Sequence, residues 1–359
     1  MSLLGVALFI ILHAFKSALL NAAFGCSSMY VKEIKIHLLS FLMIIMACDK
    51  DQSTDPKPGV VDYRQEMRDF VQAISQYARQ NDPDFIVIPQ NGQELITRNG
   101  ESDGPLAESY ITAVDGTGRE DLFYGYEMDN QSTPDEERDY MIGFCDRCEQ
   151  AGVEVLVIDY CSDPNKMDDS YTRNAARNYI SFAAPDRNLN VIPQHPAEPY
   201  NENALDISNL SSARNFLYLI NGEHFGTKEN FIQAVSETHY DLIIMDCFFN
   251  DQIFKDEEIV QLKNKQNDRS RLVVSYMSIG EAEDYRYYWN SSWEHDPPDW
   301  LAGENPDWPG NYKVRYWNPA WQAIIYGSEN AYLDKILNAG FDGVYLDIID
   351  AFEYFEEAE

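Results

Sequence analysis

Phe341-Asp-Gly-Val-Tyr-Leu-Asp347-Ile-Ile-Asp350 is an apolar run of strand length that ends in carboxylates. An earlier run does the same: Val273-Val-Ser-Tyr-Met-Ser-Ile-Gly-Glu281-Ala-Glu283-Asp284-Tyr-Arg286. All 6 tryptophans of the 359-residue chain fall between Trp289 and Trp321, in the window that these two runs flank. Carboxylates at strand ends supply the acid–base and nucleophilic groups that glycosidic bond cleavage needs. Aromatic faces stack on sugar rings and bury area at low entropic cost. The pattern therefore points to a carbohydrate-cleaving barrel, or, if the tryptophans only pack an insertion, to a barrel of undetermined activity.

Working outward, further apolar runs occupy 85–89, 110–114, 153–158, 179–183, 216–220, 241–245, 272–276, 312–316 and 343–346. They are continuous rather than alternating, as expected of parallel strands covered on both faces. Helical stretches are expected at 63–79, 135–151, 228–238, 256–264 and 321–339. Strand followed by helix is the rhythm of a (β/α)8 barrel, one α/β domain over 61–359. The runs number nine for eight places, so 179–183 or 312–316 is an extra strand.

Barrel active sites form at the carboxyl ends of the strands. There the sequence places Asp115, Asp159, Asp246, Glu281, Asp347 and Asp350, with amides at Asn91 and Asn221. An acid at one strand end is often only a helix cap. Several on one rim raise each other's pKa and cost stability, as functional sites do. Arg286 suits a bidentate pair with one of these acids, or an ordinary ion pair with Glu283 or Asp284. Tyr124, Tyr276, Trp289 and Trp317 are candidate sugar platforms.

Residues 1–47 read as a leader. Lys32 and Lys35 precede an apolar segment ending Ile45-Met46-Ala47-Cys48, the form of a secretory signal with a lipobox. Cys48 is then the lipidated first residue of an exported surface lipoprotein, and 48–60 an acidic tether resembling the export signals of Bacteroidetes lipoproteins. The formal charge is −33; residues 1–47 hold Lys16, Lys32, Lys35 and Glu33, so residues 48–359 carry −35. Nucleic acid needs a basic footprint and is excluded as a partner. A cationic polymer suits the acidic balance through long-range steering. Cys145 and Cys148 stand at i, i+3 on an expected helix, without a second pair or a histidine cluster, so neither metal nor cofactor is expected. A monomer is expected, touching a membrane only through the anchor.

Three segments together resemble a known family: Ser278-Ile-Gly-Glu281-Ala-Glu-Asp-Tyr-Arg286, Trp308-Pro-Gly-Asn-Tyr-Lys-Val-Arg-Tyr-Trp317 and Gly340-Phe-Asp-Gly-Val-Tyr-Leu-Asp347-Ile-Ile-Asp350. They resemble the glycoside hydrolase family 114-like proteins, which include endo-α-1,4-polygalactosaminidases. Phe85-Ile-Val-Ile-Pro-Gln-Asn-Gly92 and Asp115-Gly-Thr-Gly-Arg-Glu120-Asp-Leu-Phe-Tyr124 extend the likeness. The resemblance implies a (β/α)8 barrel. It also implies a circular permutation, since most relatives begin with the strand that is 216–220 here. On that rotation 312–316 is the barrel strand and 179–183 the addition. The likeness implies Asp347 and Glu120 as catalytic carboxylates, Glu281 competing for the second place; the chemistry of a carboxylate pair then leads to the expectation of Asp347 as nucleophile or base and Glu120 as general acid. Asp246, Asp350 and Asp115 are then substrate ligands, and a cationic amino-sugar polysaccharide is the implied substrate. A non-catalytic glycan-binding lipoprotein is the alternative.

Overall fold

The computed structural model describes residues 61–358. The expected leader, the Cys48 anchor and the tether lie outside the described residues. The described part opens with α1 (Tyr63–Asn81), capped by Asp62, whose carboxylate accepts the Gln65 backbone N–H at 2.9 Å. Met67, Phe70, Val71, Ile74 and Ala78 recur at helical spacing and are all buried. The expected helices at 135–151, 228–238 and 256–264 are α3 (Asp135–Gln150), α5 (Lys228–Ser236) and α6 (Asp256–Leu262).

The centre is a parallel sheet in two ladders. One runs β1 (Ile86–Pro89), β13 (Gly343–Asp347), β9 (Leu272–Ser278), β6 (Leu242–Asp246) and β5 (Phe216–Leu219). The other runs β2 (Gly116–Glu120), β3 (Glu154–Tyr160) and β4 (Ile180–Ala184). A parallel bridge from Gln90 to Gly118 joins β1 to β2, and β4 lies against β5. The fold is α/β around parallel strands, as expected.

Three expectations fail. The apolar run at 110–114 is helix α2 (Glu108–Ala113), and the strand is the Gly-Thr-Gly-Arg-Glu that follows it. Small residues hid that strand for a packing reason. The Tyr345 hydroxyl fills the space beside Gly118, where an added Cβ would lie 1.8 Å from it. The assignment of the extra strand is also reversed. β4 pairs in register with β3 and is buried throughout, as a central strand must be. Residues 311–314 form β12 (Asn311–Val314), half exposed, in an antiparallel sheet with β10 (Glu281–Glu283) and β11 (Leu301–Glu304). That sheet is the aromatic-rich insertion. Finally, 321–339 is two helices, α7 (Pro319–Ile325) and α8 (Tyr332–Ala339), parted at Gly327, whose φ is +101°. Helix α4 (Pro164–Ala175) had a signal that was passed over: an Asp163 cap followed by proline at the first turn.

The first and last described helices meet. Arg64 pairs with Glu356 of α9 (Ala351–Glu357) at 2.9 Å, and the Tyr63 and Phe355 rings lie 5.6 Å apart.

Gly118→Ala is expected to cost about 1–3 kcal/mol in urea unfolding, because the packed Tyr345 ring must yield. Gly303→Ala, where the nearest atom lies 4.0 Å away, is the control and should change little.

Candidate active site

Along a strand, side chains alternate between faces, so one parity lines the interior. Glu120, Tyr160, Tyr218, Asp246, Tyr276, Tyr345 and Asp347 share that parity and meet there. The Tyr218 and Tyr345 rings stand 5.1 Å apart. Above them the two expected catalytic carboxylates are brought to the same rim, close enough for the charge on Glu120 to act on Asp347.

Glu120 ends β2 and is held by three donors. Gln90 donates Nε2–H to Oε2 at 2.7 Å, and Asn91 donates Nδ2–H to the same oxygen at 3.1 Å. The Tyr160 hydroxyl donates to Oε1. Gln90 is aligned in turn by the Tyr218 hydroxyl, which donates to its Oε1 at 3.1 Å. Asp347 ends β13 and accepts the Tyr276 hydroxyl at 2.7 Å. Burial, and then the charge on Glu120, push the Asp347 carboxyl up to about 8. Asp350, in the next turn, is pushed up to about 6 by burial first, with Arg119 pulling it down and Glu120 raising it. The turns are strained: Asn91, Asp121 and Ile348 have φ of +60°, +58° and +58°. For β-branched Ile348 that conformation is costly, and such strain tends to collect where function requires a fixed geometry.

A cleft of about 640 Å³ opens one strand away. Asp246 at its floor is in register with Tyr276, the partner of Asp347. Arg286 closes this floor, its Nη1 2.7 Å from Asp246 and its Nε 2.6 Å from Glu283. Its side chain is 7 % exposed. Arg286 thus meets the rim acid Asp246 through Nη1 alone, and its two-nitrogen contact, through Nε and Nη2, is with Glu283. Phe248, Tyr285 and Tyr287 give the cleft aromatic walls, Asn221 and Asn250 amides, and Glu223 and Asp251 exposed carboxylates.

Other expected site residues lie elsewhere. Asp115 precedes β2, about 16 Å from Glu120 at strand rise, and accepts Val87 N–H and Arg79 Nη2–H, each at 2.8 Å. It ties α1 to the opposite end of the sheet. Glu281 is fully buried, bound to Lys313 at 2.9 Å and Asn305 at 2.8 Å, out of reach of any substrate. Asp159 faces outward by parity and accepts from Ser170, Asn174 and two backbone N–H groups. Tyr124 is buried and donates to Asp169 of α4 at 2.8 Å. Trp289 packs on Tyr312 at 4.8 Å and Trp293 at 5.2 Å, inside the insertion. Trp317 is wedged between Tyr63 and Phe355, at 5.1 and 4.8 Å, and staples the first helix to the last. The four described cysteines are buried and free.

Sequence reasoning missed Gln90, Tyr160, Tyr218, Tyr345, Phe248 and Tyr285. Strand parity would have found several: Tyr160 shares a face with Ile158, not with Asp159, and Tyr345 is two residues before Asp347.

The geometry meets comparison at this point. The model of glycoside-hydrolase family GH114 matches residues 225–359, the part that carries Asp246, Arg286 and Asp347. Over those residues the chain is similar to that family. An uncharacterized protein of Methanocaldococcus jannaschii is 40% identical over 159 residues, covering 43% of each chain. One of Deinococcus radiodurans is 41% identical over 123 residues, covering 34% of this chain and 37% of its own. One of Thermotoga maritima is 48% identical over 90 residues, 25% and 27% respectively. The matched stretches span less than half the length of these relatives.

Asp347 gives a test of the electrostatics without substrate. Its carboxyl binds a proton more tightly folded, at about 8, than at its ordinary 3.8. Its contribution to stability is therefore fullest below about pH 4 and is lost as pH rises to about 8. Asp347→Asn should leave stability at pH 4 nearly unchanged. At pH 8 it should raise stability by on the order of 2 kcal/mol, a figure discounted because the group is partly exposed. Urea unfolding at both pH values reads the difference.

Proposed function

We propose that this chain is a glycoside hydrolase whose reaction is carried by Asp347 and Glu120. The observation that carries the proposal is the asymmetry of the pair. Asp347 is held protonated by burial and by its neighbour, whereas three hydrogen-bond donors and no acceptor converge on the Glu120 carboxylate. One protonated and one ionised carboxyl group on a single rim is what glycosidic cleavage uses. The family match supports the same class.

The asymmetry assigns roles opposite to those expected from the sequence. Asp347 delivers its proton to the leaving oxygen; Glu120 acts as nucleophile or as the base for water. Gln90, Asn91 and Tyr160 hold Glu120, and Tyr276 holds Asp347. Asp350 modulates the pair by charge. The eight parallel strands close into a (β/α)8 barrel, supported by the Gln90–Gly118 bridge on one side and the packing of β4 on β5 on the other. The rotated order of elements belongs to this reading, and the meeting of α1 with α9 supports it.

The substrate in this proposal is a cationic amino-sugar polymer. The −33 chain favours its approach. In the cleft, Arg286 already neutralises Asp246 and Glu283, which leaves Glu223 and Asp251 for ammonium groups and Tyr285 and Tyr287 for ring faces. Lipid anchoring at Cys48 and export to the cell surface complete the proposal; absence of label from radioactive palmitate would remove that part.

The test is digestion of partly deacetylated poly-α-1,4-galactosamine, followed by mass spectrometry. Asp347→Asn and Glu120→Gln should each lower kcat/KM by at least about a hundredfold to ten-thousandfold. On an aryl glycoside whose leaving group needs no proton, Asp347→Asn should retain its first bond cleavage and Glu120→Gln should not; the opposite result reverses the roles. Wild-type kcat should fall as pH rises through about 8, where Asp347 loses its proton. Binding without cleavage of any amino-sugar polymer would favour the glycan-binding lipoprotein.

Glu223→Gln and Asp251→Asn should raise KM for the deacetylated polymer by roughly fivefold each, the size of one exposed ion pair. They should leave KM for the fully N-acetylated polymer unchanged, which a substrate series measures.

A further inference from the structure

We infer that Arg187 and Tyr160 form a positioning pair that orients Glu120 from outside the space where substrate binds. The inference deepens the proposed role of Glu120 and rests on it for its catalytic meaning. Its first readout requires no catalysis.

Tyr160 ends β3, is 2 % exposed, and donates its hydroxyl to Glu120. Burial first, and then the charge on Glu120, push the phenol far up, so it remains a donor at any working pH. The guanidinium carbon of Arg187 stands 3.8 Å from the centroid of the same ring. A cation on a ring face withdraws electron density from the ring and makes the phenol a stronger donor. Glu120 therefore feels Arg187 through the ring, without contact.

Arg187 is itself fixed. Its Nη2 donates to Asp121 Oδ1 at 2.9 Å and to the Gly125 carbonyl at 2.8 Å, and its Nε donates to Asp129 at 2.9 Å. The loop after β4 is thereby fastened to the loop after β2, over the end of β3. Gly125 makes the close passage possible: φ is +118°, and an added Cβ would lie 2.1 Å from Asp121 Oδ1 and 3.0 Å from Arg187 Nη2. Asp121, with φ of +58°, follows Glu120 directly, so the strained turn that aims Glu120 also supplies the anchor of Arg187.

The other groups facing Glu120 act independently of this pair. Gln90 and Asn91 come from the end of β1, and Arg119 from its own strand. Tyr218 comes from β5; Tyr345, Asp347 and Asp350 come from β13 and its loop. Those facing Tyr160 are Glu120, Asp121 and Arg187, with Tyr218 beyond. A mere loop staple would lower the melting temperature and leave Glu120 unmoved.

The experiment follows the Glu120 carboxyl carbon by 13C NMR against pH in the full chain, assigned with Glu120→Gln. Tyr160→Phe should move the titration midpoint upward by about one pH unit, the worth of one lost charge-assisted hydrogen bond. Arg187→Met should move it the same way by less, and Arg187→Lys should restore most of the difference. In turnover, the acid limb of kcat/KM should follow the same shifts. If Tyr160→Phe does not fold, Arg187→Met decides alone. An unmoved midpoint in the folded variants overturns the inference and leaves a loop staple. A midpoint that moves while no glycan is cleaved upholds the positioning pair and removes the hydrolase reading.

Discussion

Two carboxylates held at one rim, over an interior of buried side chains, are the constraint to which the rest of this structure answers. Charges that share a poorly solvated site repel, and each pays for lost hydration. The chain meets that cost by treating the two acids differently. Asp347 takes one tyrosine hydroxyl and keeps its proton; Glu120 receives two amides and a phenol. The tyrosines belong to the strands, so the asymmetry is built into the rigid part of the fold rather than into its loops. Tyr218 shows how deep the support runs, because it aligns Gln90, which in turn aligns Glu120.

The same constraint accounts for local features that are otherwise costly. Gly118 gives up the packing of a side chain so that the Tyr345 ring can lie beneath the pair. Asn91, Asp121 and Ile348 adopt left-handed backbone at the ends of three neighbouring strands. Each such residue turns the chain abruptly and leaves the last strand side chain pointing at the rim. Distributed over three turns, this strain is supported by a core in which nearly every central-strand residue is buried.

Electrostatics divides the rim into two parts. Around Glu120 and Asp347 there is no salt bridge to either carboxylate among the described residues, so no fixed cation neutralises the pair. In the adjoining cleft Arg286 lies between Asp246 and Glu283 and holds the insertion against the end of β6. That buried triad owes its worth to geometry more than to net attraction, because removing one partner would strand a charge. The overall acidity of the chain is thus a property of its surface, whereas the cleft floor is locally compensated.

How far the residues alone announced this arrangement varies with the physics behind each element. Long apolar runs and amphipathic helices were legible because hydrophobic periodicity is a local signal; α1, α3, α5, β3, β9 and β13 were found where expected. Asp347, Asn91, Asp246, Tyr276 and Arg286 stood out because a polar or aromatic group at a strand end is conspicuous. β2 was not legible, since the atoms that require Gly118 belong to Tyr345, more than two hundred residues away, and those beside Gly116 belong to Leu210, Glu154 and Leu156. β12 was mistaken for β4 although its run carries Lys313 and Arg315 where β4 is apolar and buried throughout; the polar residues mark a strand of the half-exposed insertion. Asp115, Asp159 and Glu281 looked like Glu120 in sequence, but face direction, strand polarity and burial separate them. The sequence by itself determined an α/β chain of parallel strands with acids at their ends. Only tertiary structure decided which acids share the rim and which one keeps its proton, because both depend on solvent exclusion and on distances between strands far apart in the chain.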